Sequence, residues 1–88
     1  MEPRVQVGVV GDYDGRNHTH RATNAALAHA GISFEWVPTP EVPSARPEQR
    51  LAGYRGLMIA PASPYRSMEG ALAAIRLARE RGVPLVAT

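Results

Sequence analysis

The apolar pattern divides the chain into alternating units. Val5-Gln6-Val7-Gly8-Val9-Val10 is a short, mostly β-branched run closed by Gly11, which predicts a strand covered on both faces and therefore interior to a parallel sheet. Residues 12–19 read as a loop. From His20 to Ala30, Ala22, Thr23, Ala26, Leu27 and Ala30 share one helical face, with Arg21, Asn24 and Ala28 opposite and Gly31 as the stop. Residues 32–37 alternate Phe34 and Trp36 with Ser33 and Glu35, a second strand with one more polar face and so nearer an edge. Pro38, Pro40, Pro43 and Pro47 forbid regular structure, so the proline-rich connection 38–50 is expected to run over the surface, with a helical turn at 51–54.

Leu57-Met58-Ile59-Ala60 is a third, fully apolar strand, and residues 61–66 are the turn leaving its carboxyl end. Ser67 is a good N-cap for a helix through Arg81, in which Met68, Ala71, Leu72, Ile75 and Ala78 line one face and Gly82 follows the last turn. Leu77 falls outside that stripe, and Arg76 and Glu80 are spaced to pair on the surface. Residues 83–88 form a fourth strand. Strands alternating with helices imply right-handed crossovers and a parallel sheet. The fold class is therefore α/β, a flavodoxin-like parallel sheet with helices on both faces, and its chemistry belongs beyond the carboxyl ends of the strands.

Composition narrows the field. The chain has 88 residues, no Cys, eight Gly and eight Pro, which excludes disulfide scaffolds, Cys-ligated zinc modules and collagen. Its apolar runs are too short to span a bilayer and no signal-peptide pattern opens it, so no membrane is expected and the cytoplasm is the default compartment. The net charge is +2. All ten basic residues are Arg, and they are scattered apart from Arg76, Arg79 and Arg81, so no track for a nucleic-acid partner is expected. A chain of this size buries roughly 60–65% of its unfolded surface, which makes its core marginal unless a neighbour covers part of it.

At the motif level the chain resembles a known family. Glu69-Gly-Ala-Leu-Ala-Ala-Ile-Arg-Leu-Ala-Arg-Glu-Arg-Gly-Val-Pro-Leu-Val-Ala-Thr88 is similar to the pattern E-G-K-I-x-A-I-x-Y-A-R-E-x-x-I-P-F-L-G-I-C of the class I glutamine amidotransferase domain of CTP synthase. Val9-Val10-Gly11-Asp12-Tyr13 resembles that family's L-V-G-K-Y, and Ala26-Leu27-Ala28-His29-Ala30-Gly31 its A-L-x-H-A-G. The turn Pro-Ala-Ser-Pro-Tyr-Arg-Ser-Met-Glu-Gly is similar to a branch of small proteins related to the carboxyl-terminal region of CTP synthase. The resemblance implies glutamine as the parent substrate, no cofactor, and residues 1–88 as an amino-terminal portion of the domain. It implies as partner the remainder of the domain, or another chain along the last strand.

The resemblance also implies a catalytic Cys, or selenocysteine in some members of this branch, immediately after Thr88, with its His and Glu further on. No catalytic residue is then expected in this chain. Its contribution would be the oxyanion side, the turn whose family counterpart is P-G-G, here Ala62 and Ser63 with Pro64 and Tyr65. Ala and Ser resist backbone angles that Gly permits, so building that hole costs more here. Arg66 and Glu69 match family positions and support the turn, or form only a charge pair at the helix start.

Other groupings are weaker. His18, His20 and His29 invite a metal, but no Asp, Glu or Cys is placed to complete the shell, so no metal is expected. Gly11-Asp12-Tyr13-Asp14-Gly15 matches no phosphate-binding pattern, and its carboxylates repel anions; it reads as a loop packing beside the site. Trp36 reads as core or interface.

Overall fold

The computed structural model describes residues 6–60 and 65–87, except the Ala87 side chain. The expected strand–helix alternation is realised as β1 (Val7–Val10), α1 (His18–His29), β2 (Phe34–Val37), α2 (Glu48–Leu51), β3 (Gly56–Ile59), α3 (Met68–Arg81) and β4 (Leu85–Ala87). All pairings are parallel, in the order β2-β1-β3-β4. The sheet is flavodoxin-like, with β1 interior and β2 at an edge, as the apolar patterning of each strand requires. The chain leaves β1 for β2 on one side and crosses back to β3 on the other. The carboxyl ends of β1 and β3 therefore flank the reversal of strand order, where a crevice opens.

Residues one apart on a strand point to opposite faces, and two separate clusters follow. Val10, Val37, Leu57 and Ile59 form one face with Ala73, Ala74, Leu77 and Ala78 of α3, joined by Val42 and Leu51. On the other face Val9, Leu27 of α1 and Ala60 are buried, with Val7, Phe34, Trp36 and Met58 partly buried around them. One helix-bearing layer lies on each side of the sheet.

The buried faces of both long helices differ from those expected. On α3 the buried residues are Gly70, Ala71, Ala73, Ala74, Leu77 and Ala78, whereas Met68 and Leu72 are 55% and 56% exposed. Leu77 is thus core, and the helix is rotated so that its small residues meet the sheet. The reason is closeness: a Cβ on Gly70 would stand 2.0 Å from the Thr39 carbonyl oxygen, so α3 approaches to a distance only a side chain of hydrogen permits. On α1, His20 and Leu27 are buried, Thr23 and Asn24 half-buried, and Ala22, Ala26 and Ala30 exposed. Asn24 faces inward because Trp36 Nε1 donates to its Oδ1 at 2.6 Å. That helix also begins earlier than expected, since Asn17 Oδ1 accepts from the amides of Thr19 and His20 and caps it.

The proline-rich connection also departs from expectation. It holds a 3-10 turn, Thr39–Glu41, and α2, and it buries Thr39, Val42, Pro47 and Leu51. Proline fixes φ and lacks an N–H, which suits the first residues of short turns, so the segment packs as a lid over the α3 face rather than running across the surface. Arg50 ties it down, Nε donating to Glu41 Oε1 at 3.1 Å and Nη1 to Tyr54 Oη at 3.2 Å, and Tyr54 Oη donates to Glu35 of β2. The Tyr54 ring crosses β1 over Gly8, where a Cβ would stand 2.8 Å from it. Arg76 donates to the Ser44 carbonyl at 2.7 Å instead of pairing with Glu80. Ser67 and Gly82 cap α3 as expected: the Ser67 hydroxyl accepts from Gly70 N, and Gly82 is left-handed at φ 67°.

Candidate functional site

At the carboxyl end of the sheet a cleft of about 580 Å³ is lined by residues 11–16, Trp36, Pro38 and Arg66. Its floor is Gly11, whose hydrogen lets Trp36 and Ala60 close over the strand end; a Cβ there would stand 2.6 Å from the Ala60 Cβ. One wall is aromatic. Tyr13 meets Trp36 edge-to-face at 5.0 Å between centroids, His20 lies 4.9 Å from Trp36, and Tyr13 and His20 stack at 5.9 Å. Tyr13 stays 46% exposed and faces the opening.

The other wall is a hydrogen-bonded knot joining the segments that leave β1, β2 and β3. Asp12 Oδ1 accepts from Thr39 N at 2.9 Å. Its Oδ2 accepts from Thr39 Oγ1 at 2.7 Å and from Arg66 N at 2.8 Å. Thr39 Oγ1 in turn accepts from Ser67 N at 2.8 Å. Partial burial disfavours the Asp12 carboxylate, but the donations from Arg66 N and from Thr39 Oγ1 and N outweigh it, so its pKa lies below the ordinary 3.8. Asp14, at the rim, is also lowered, first by the Arg16 amide that donates to it. The Tyr65 hydroxyl donates to the Ala60 carbonyl at 2.7 Å.

Of the expected site residues, Ala62, Ser63 and Pro64 lie outside the described residues. Tyr65 is half-buried, Arg66 lines the cleft, and Glu69 is exposed on the first turn of α3. Residues 11–15 line the cleft, and Trp36 is its half-buried wall. His18 and His29 are exposed, while His20 is buried and its Nδ1 accepts from Asp14 N at 3.0 Å. Among the described residues no group of three or more His, Cys, Asp or Glu could hold a metal ion. None of their helices is long and apolar enough to cross a membrane. Sequence reasoning missed Thr39 and Asn24. The position of Thr39 just past the end of β2, flanked by Pro38 and Pro40, is the signal that could have marked it.

No family model matches the chain and no solved structure matches it. Curated proteins do. CTP synthase of Synechococcus sp. (strain JA-3-3Ab) is 31% identical over 97% of the chain, and that of Bartonella henselae is 32% identical over 94%. CTP synthase of Staphylococcus epidermidis is 29% identical over 96%. The chain is related to one segment of CTP synthase. It spans 17% of the length of the Synechococcus protein and 16% of the Bartonella one.

Proposed function

We propose that this chain is the amino-terminal side of a glutamine-hydrolysing amidotransferase domain of the CTP-synthase type, and that it supplies the oxyanion-binding turn while the Cys-His-Glu triad lies beyond Thr88. The observation that supports this most is the turn after β3. In the CTP-synthase register it corresponds to P-G-G, and its flanks are fastened at the carboxyl edge of the sheet, by Tyr65 Oη to Ala60 O and by Arg66 N to Asp12. Hydrolysis of an amide needs a nucleophile to attack the carbonyl, donors for the oxygen that becomes negative, and a proton for the departing ammonia. The backbone amides of such a turn would serve the second task. The nucleophile and proton donor would come from the rest of the domain.

The test is the reading frame after Thr88 and the activity of its product. A Cys or UGA codon continuing into a small-residue elbow, with ammonia released from glutamine by the expressed protein, is the expected result. Any other sense codon, or a UAA or UAG stop, overturns the reading.

A second reading is a non-catalytic flavodoxin-like interaction module. It is favoured by Val86 of β4, 54% exposed on the last strand of the sheet. Concentration-dependent self-association abolished by Val86→Lys, in a protein without glutaminase activity, would support it.

A further inference from the structure

Thr39 is fully buried, and each of its polar groups toward the cleft is committed. Its amide and hydroxyl both donate to Asp12, and its hydroxyl oxygen accepts from the Ser67 amide. The order of donors is forced: an amide can only donate, so the hydroxyl must spend its proton on the carboxylate. Asp12 spends Oδ2 a second time on the Arg66 amide. Two consecutive amides at the entry to α3 are thus aimed by side chains from the segments after β1 and β2. The Thr39 carbonyl side meets the Gly70 backbone, so the same residue fixes how closely α3 approaches the sheet.

We propose that Asp12 and Thr39 are positioning residues, which set the direction of the Arg66 and Ser67 amides and thereby the place where α3 begins and Arg66 meets the cleft. Asp12 borders the cleft, and neither residue belongs to the apolar clusters on the two faces. The pair joins loops that the sheet itself leaves independent. Its bearing on ammonia release rests on the proposed glutaminase; its geometry does not.

The experiment is amide hydrogen exchange on the full protein, comparing Asp12→Ala, Thr39→Val and Thr39→Ser with the parent. A hydrogen bond of this kind is worth about 1.4 kcal/mol or more, which is a factor of about ten. Asp12→Ala should therefore speed exchange at Arg66 by roughly tenfold, Thr39→Val should do so at Ser67, and the Ala74 and Leu77 amides of α3 should be unchanged. Thr39→Ser keeps the hydroxyl and should restore protection at Ser67, which separates a positioning role from loss of bulk. Unchanged exchange at Arg66 in Asp12→Ala would overturn the proposal. So would equal acceleration of every α3 amide in Thr39→Val together with Thr39→Ser, the mark of general destabilisation. Ammonia release from glutamine, measured in parallel, should fall in kcat with KM unchanged. A parent protein that releases no ammonia sinks the glutaminase reading and leaves the exchange result standing.

Discussion

The two faces of the sheet are closed by different means. On the Val10 face, α3 offers Gly70, Ala71, Ala73, Ala74 and Ala78 around a single large residue, Leu77, and its helix backbone comes close to the Thr39 carbonyl. On the Val9 face, α1 offers one buried aliphatic residue, Leu27, and otherwise polar or aromatic contacts made through Asn24 and His20. The first arrangement depends on shape and has no slack. The second mixes partly exposed groups, and at its upper end it opens into the cleft. Close packing of small residues stabilises one side of the sheet, while the looser aromatic side is where a ligand could be admitted.

The largest effect is expected where there is least slack. Gly70→Ala places a methyl against the Thr39 carbonyl at 2.0 Å, so backbone must move on one side or the other, at a cost of about 3 kcal/mol or more. Urea unfolding of the full protein measures it, and a loss below 1 kcal/mol, roughly the ordinary scale of a surface change, would show that α3 can retreat freely. Leu77→Ala comes next. Leu77 is 6% exposed in the tighter cluster, and leaving its space empty should cost about 3 kcal/mol. Leu27→Ala, from the looser face, should cost less, about 2 kcal/mol, because its half-buried neighbours Phe34, Trp36 and Met58 can relax into the gap. Equal losses for the two leucines would erase the contrast between the faces.

The contrast also explains what was legible in the sequence. Strands show themselves through apolar runs, the caps of α3 through Ser67 and Gly82 at its ends, and the sheet class through alternation; these are local signals, whereas the Asn17 cap of α1 lies inside the stretch that reads as a loop. The faces of the helices do not show themselves, because periodicity ranks residues by hydrophobicity, and Met68 and Leu72 outrank Gly70 and Ala74. The helix is turned by a contact thirty-one positions away in the chain, Thr39 against Gly70, which no period contains. The proline segment departs from its expected course for a related reason: proline argues against ladders and long helices, but not against the short 3-10 turn that buries Thr39. In the site, the Asp12–Thr39 knot joins residues 27 apart, whereas the resemblance to CTP synthase drew attention to the turn at 61–65 and Arg66.

A smaller effect tests the aromatic side. Asn24→Ala removes the acceptor of Trp36 Nε1, and with Trp36 half-buried the loss should be about 1 kcal/mol. Because Trp36 walls the cleft, its fluorescence should shift to the red as the ring gains water. An unchanged emission maximum in a destabilised variant would mean that Asn24 acts on α1 alone.

The smallest expected effect is one of pH, and it distinguishes the cleft from both faces. Asp12 is held below its ordinary pKa of 3.8 in the folded protein, so as the medium is acidified the unfolded chain takes up a proton first. The stabilisation is then complete above the unfolded value and is lost progressively as pH falls through and below 3.8. Asp12→Asn keeps the size of the side chain but cannot titrate, and its amide nitrogen cannot accept from a backbone N–H. The parent should therefore exceed the variant in urea midpoint at neutral pH, by a margin that shrinks on acidification. Leu77→Ala, which removes no titratable group, should keep a constant deficit over the same range. Asp14→Asn should change little throughout, because Asp14 is exposed and salt-screened with its partner Arg16 at the rim. A margin for Asp12→Asn that stayed constant down to the acid limit of folding would mean that its carboxylate charge contributes nothing to the knot.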